Sequence, residues 1–111
     1  MGYYTWITLS TYGEDAKIKQ MEADAKVYED DLVSKFIEDQ ELEVKWAYFE
    51  DSLMKFMRRH PEVLFVVYGD GEESDDIWEA RFKGEEFELH CLEMPPFTNP
   101  KLKIPLKYLN Q

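Results

Sequence analysis

From Tyr3 to Tyr12, β-branched and aromatic residues follow a two-residue period, with Tyr4, Trp6, Thr8 and Ser10 on one side and Tyr3, Ile7, Leu9 and Thr11 on the other. Neither side is cleanly polar, so the run predicts an interior strand, which Gly13 ends. From Glu14 to Asp39 the period lengthens. Ile18, Met21, Ala25, Tyr28, Leu32 and Phe36 recur every three or four residues and form one apolar helical stripe. So long a helix in so short a chain leaves open a break near the Glu29-Asp30-Asp31 run.

Glu41 to Trp46 alternates again. Leu42, Val44 and Trp46 face one way, and the charged alternate face predicts an edge strand or one with a solvated side. Tyr48 to His60 returns to helical spacing through Phe49, Leu53, Phe56 and Met57. Cations crowd its last turn and Pro61 stops it. Val63 to Tyr68 is apolar on both faces, the mark of a central strand. An acidic loop, Gly69 to Asp76, leads to a hairpin. Its strands are Ile77–Lys83, with Trp78, Ala80 and Phe82 inward, and Glu86–Cys91, with Phe87, Leu89 and Cys91 inward. After Met94 the prolines exclude regular structure and predict an extended tail, anchored across the domain by Phe97, Leu102 and Ile104. The expected fold is α+β and close to ferredoxin-like: a mostly antiparallel sheet of four to five strands with two helices on one face, in one domain spanning 1–111.

Composition narrows the function classes. At 111 residues with 44% hydrophobic and 15% aromatic content, the chain has enough apolar surface to build a core. One cysteine excludes an internal disulfide and a multi-thiolate zinc site, and no apolar run approaches the ~18 residues of a membrane span. The start, Met1 to Trp6, lacks the basic flank of a signal peptide, so a cytoplasmic location is expected. A net charge of −11 repels phosphate backbones and anionic membranes, which argues against direct nucleic-acid or membrane binding and favours a protein partner with a basic surface.

No catalytic set emerges, and the expectation is a protein that is not an enzyme and holds no cofactor or metal. His90 and Cys91 are neighbours on a strand and point to opposite faces, while His60 at a helix end reads as a cap. Asp70, Glu72, Glu73, Asp75 and Asp76 are hard oxygen donors in one loop, but their spacing does not match the EF-hand pattern. A metal-dependent enzyme at that loop is the weakest alternative. Residues 14–51 hold thirteen acidic and five basic side chains, and residues 70–88 hold nine and two, so the acidity is concentrated in two blocks.

Several short motifs carry a likeness. Met1-Gly2-Tyr3-Tyr4-Thr5, Lys45-Trp46, Glu50-Asp51, Leu53, Pro61-Glu62-Val63-Leu64-Phe65, Gly69-Asp70-Gly71-Glu72-Glu73, Asp76-Ile77-Trp78 and Phe82-Lys83-Gly84 together resemble a family of small uncharacterised bacteriophage and prophage proteins. The resemblance covers most of the chain from Lys45 onward. It implies a viral origin, a host-cytoplasm location and a ferredoxin-like fold, and it supplies no mechanism. The pattern is departed from at Ala47 and Phe49, and the hairpin turn is one residue shorter.

Acidity and likeness together lead to one expectation: an acidic protein-binding module inhibiting a host nucleic-acid-handling or defence protein, as a DNA mimic does. Its contact residues are expected at Asp70, Glu72, Glu73, Asp75 and Asp76, with Glu29, Asp30 and Asp31 as a second patch. The alternative is a structural or self-assembly module, using the long helical stripe and the proline-rich tail for homodimer contacts.

Overall fold

The computed structural model describes residues 4–71, 77–91, 99–105 and 108. Five strands form one antiparallel sheet: β1 (Thr5–Tyr12), β2 (Glu41–Val44), β3 (Leu64–Gly71), β4 (Ile77–Lys83) and β5 (Glu86–Cys91), in the spatial order β2-β1-β3-β4-β5. Three helices accompany them: α1 (Asp15–Lys26), α2 (Asp31–Asp39) and α3 (Trp46–Met57). The α+β class and the antiparallel sheet agree with the sequence expectation. The strand order is not the classic ferredoxin one, because α1 and α2 double back and return the chain beside β1 in the opposite direction.

The third helix comes from breaking the long helical pattern. α1 ends at Val27, and Asp30 then caps α2, its Oδ1 accepting hydrogen bonds from the Leu32 and Val33 amides at 3.1 and 3.2 Å. An aspartate that satisfies the orphan amides of a new first turn competes with helix continuation. The break also resets the apolar phase. Met21, Ala25 and Phe36 are buried as the stripe predicts, but Leu32 is exposed and Val33 and Ile37 take the core positions. Gln40, in the left-handed region at φ 63°, turns the chain from α2 into β2.

The main core lies between the helices and one sheet face. Ile7 and Leu9, Phe65 and Val67, and Trp78, Ala80 and Phe82 meet Met21, Phe36, Leu53, Phe56 and Met57. β3 is central and apolar on both sides because both sheet faces are covered. On the far face Leu64 and Val66 pack under Leu102 and Ile104 of the C-terminal segment, whose 3₁₀ turn spans Pro100–Leu102. The predicted anchors Leu102 and Ile104 are thus in place, while Phe97 lies outside the described residues.

Glu79, on the sheet face opposite Trp78, Ala80 and Phe82, is 4% exposed, because that face carries its own cover and Glu79 is paired there with Arg81. Two expectations for the hairpin and the acidic stretch need correction. Cys91, expected inward, is exposed at the end of β5. Gly69, Asp70 and Gly71 belong to β3 and not to a loop. Gly69 has a packing reason: a Cβ there would lie 2.0 Å from Cε2 of Trp78, whose ring crosses over it and packs, tilted by 47°, against Trp46 with the centroids 4.5 Å apart.

Candidate interaction surface

The predicted contact residues fall in different places. Glu72, Glu73, Asp75 and Asp76 lie outside the described residues. Asp70 is exposed on β3, in a cross-strand row with Glu43 of β2, Trp6 of β1 and Ile77 of β4. Glu29, Asp30 and Asp31 occupy the turn into α2. The two sets share no hydrogen bond or ion pair among the described residues. Asp30 is only partly available, since its carboxylate caps α2.

The turn into α2 is the more built of the two patches. It borders a depression of about 520 Å³ lined by Tyr28, Glu29, Asp31, Leu32, Ser52 and Lys55. That depression continues across Asp30, Leu32 and Ser52 into a second one of about 390 Å³, floored by Val44 and Phe49 and bordered by Tyr4, Glu43, Lys45 and Tyr48. Leu32 and Tyr48 are 52% and 76% exposed here, unusually open for large apolar side chains at a concave site. The Lys45 ammonium sits 5.5 Å from the centroid of the Tyr4 ring, a cation–π distance.

Local chain geometry explains the assembly of this corner. Gln40 folds β2 back along α2, so the start of α2 meets the end of β2. The helical phase set by the Asp30 cap leaves Leu32 outward, and α3 begins two residues after β2, with Tyr48 on its solvent side. Periodicity alone missed Leu32, Tyr48 and Glu43. The aspartate cap ahead of a second helical phase was the signal that would have placed Leu32 outside.

The charge at this corner is predominantly negative, with Lys45 and Lys55 on the lining and Lys35 paired with Asp39. Residues 27–51 carry nine acidic and two basic side chains, giving −7 of the chain's −11. Among the described residues no ion pair involves Glu29, Asp31, Glu41 or Glu43.

Acids elsewhere are matched. Asp24 at the end of α1 accepts from Arg59 Nε and Nη2 at 2.9 and 2.7 Å, and His60 Nε2 lies 2.7 Å from its Oδ2. The Arg59 guanidinium, helped by His60, holds the Asp24 carboxyl below its usual value against the opposing effect of burial. His60 is therefore part of a clamp between α1 and the end of α3, and not a helix cap. On the far sheet face Glu79 pairs with Arg81 and Glu88 with His90. Burial, with the neighbouring Glu79 carboxylate, pushes the Tyr68 hydroxyl above its usual range.

Among the described residues, no group of three or more His, Cys, Asp or Glu side chains is placed to hold a metal ion, and no helix is long and apolar enough to cross a membrane. Compared with family models, with curated proteins and with solved structures, the chain finds no match.

Proposed function

We propose that this chain works by binding a protein with a basic surface, and that it inhibits a nucleic-acid-handling or defence protein by occupying the groove where that protein takes its phosphates. A bacteriophage origin belongs to the same reading. The observation that carries it is the corner between α2, β2 and α3, where unpaired carboxylates of Glu29, Asp31 and Glu43 rim a depression with Leu32 and Tyr48 exposed. An excess of negative charge around a concave site, with Lys45 and Lys55 as its cations, speeds encounter with an oppositely charged partner, and the apolar floor supplies area that water leaves on contact.

Titration calorimetry against a basic nucleic-acid-binding domain tests the reading. Binding is expected at about 50 mM salt, at least tenfold weaker near 300 mM as screening shortens the reach of the charges. Duplex DNA should compete with it. The combined Glu29→Gln, Asp31→Asn and Glu43→Gln variant should bind at least tenfold more weakly at low salt. Binding that ignores both salt and these substitutions would overturn the proposal.

A further inference from the structure

At this corner β2 is the outermost strand of the sheet. Leu9 N–H donates to the Gln40 carbonyl at 2.9 Å, and the register pairs Ile7 with Leu42 and Thr5 with Val44. Gln40 gives β1 its carbonyl alone, its own N–H donating to the Phe36 carbonyl at 2.8 Å. In an antiparallel ladder bonded and non-bonded pairs alternate, so Leu42 and Val44 turn their backbone groups toward β1. Glu41 and Glu43 then turn their N–H and C=O groups away from the sheet. Among the described residues neither has a backbone hydrogen-bond partner there.

We propose that this edge of β2 takes up an extended segment of the partner as a sixth strand, with lysine or arginine facing Glu41 and Glu43 and apolar residues between them. The inference rests on the protein-binding reading above and specifies its mode. Side chains alternate along β2: Leu42 and Val44 point to the helix side, while Glu41 and Glu43 are exposed on the other face. An added strand continues the pleat. Its residues beside Glu41 and Glu43 share the acidic face. The residues between them face the helix side, where the depression floored by Val44 and Phe49 and bordered by Leu32 and Tyr48 accepts an apolar side chain. Backbone bonds then give affinity, and the two side-chain sites give selectivity.

Charge decides the occupant. A second copy pairing through the same outward amides would place Glu41 and Glu43 directly opposite the same glutamates, and like charges in opposed positions destabilise a strand pair. A short acidic edge is itself a common guard against self-association. A strand with basic residues at those positions removes the repulsion and replaces it with attraction.

The test uses a peptide of about seven residues alternating lysine and valine, enough to cover the ~13 Å of β2. Its counterpart is N-methylated on the amides that would bond to the edge. The unmodified peptide should slow hydrogen exchange at the Glu41 and Glu43 amides, and N-methylation should weaken binding at least tenfold. A Glu41→Lys, Glu43→Lys variant should lose the peptide to a similar degree. Because N-methylation alters only the ligand, its result does not depend on that variant folding. Equal binding of the two peptides, protection elsewhere on the chain, or no peptide binding would overturn strand addition. If the basic domain still binds in a salt-sensitive way, only the strand mode has failed. If the basic domain also fails to bind, the protein-binding reading falls with it.

Discussion

The two edges of the sheet are finished differently. At β5 the residues from Glu86 to His90 are half-buried, and the C-terminal segment closes over that side of the outer face. Asn99 Nδ2 donates to Glu86 Oε1 at 2.6 Å, Arg81 Nη1 donates to the Leu102 carbonyl at 3.1 Å, and Leu102 is 1% exposed. At β2 the pattern is strictly exposed–buried, and no described residue bonds to the outward backbone. Charge follows the same division. Glu79 pairs with Arg81 and Glu88 with His90 within the closed side, whereas among the described residues no ion pair involves Glu29, Asp31, Glu41 or Glu43 at the open corner. A group that leaves water needs a partner, and a group left in water does not. The closed side therefore reports how the chain holds itself together. The open corner is where it has charge and apolar area left for another molecule.

That division predicts that stability is sensitive to the closed side. Leu102→Ala removes the side chain that seals Leu64 and Val66, and should cost about 2–5 kcal/mol in urea denaturation. It should also expose the Glu79–Arg81 pair to water. A loss below about 0.5 kcal/mol, the level of an ordinary surface change, would mean that the C-terminal segment is not part of the core.

Gly69→Ala probes the main core through one contact. The added carbon would meet Trp78 at 2.0 Å, so the indole must move off Gly69 and away from Trp46. Overpacking of this kind costs about 1–3 kcal/mol. Tryptophan fluorescence should shift along with the midpoint, since two of the three tryptophans form that contact. An unchanged emission spectrum would contradict the packing described.

These sites also show what the sequence could reveal. β3 was legible as the central strand because a run apolar on both faces has few other homes, and the hairpin was legible from strict alternation. The burial of Glu79 was not, because alternation tells which residues share a face but not whether a distant segment covers it. One helical phase carried through Asp30 places Leu32 inward, whereas a cap resets phase without altering composition. Asp70 was legible as exposed. Its membership of a strand was not, because Gly-Asp-Gly has turn chemistry, and only the Trp78 ring explains a glycine at position 69.

Asp24→Asn should have a smaller effect, and one that depends on pH. The folded carboxyl titrates below its ordinary 3.8, held there mainly by Arg59. Its stabilising contribution is therefore fully present above about pH 3.8 and is lost as pH falls through the lower folded value. At pH 7 the variant should melt about 3 °C lower, a modest change because Arg59 is half-exposed and screened. Thermal melts of the two proteins should converge below the folded titration point. A gap that persists undiminished in acid would show that the clamp acts through shape and not charge.

The smallest effect on stability belongs to the open corner, where the effect on binding should be largest. Tyr48 is 76% exposed beside the depression, so Tyr48→Ser removes little that folding has buried, and its unfolding free energy should stay within about 0.5 kcal/mol of the parent. Affinity for a basic partner should nonetheless fall several-fold, since an exposed tyrosine at a concave site loses its water only when a partner arrives. The pair of measurements separates the two sides of the molecule. A residue that matters to folding is already covered, and a residue that matters only to binding is still uncovered. If Tyr48→Ser destabilised the chain as much as Leu102→Ala, the corner would be a second closed surface, and its unpaired carboxylates would have to be explained by solubility alone.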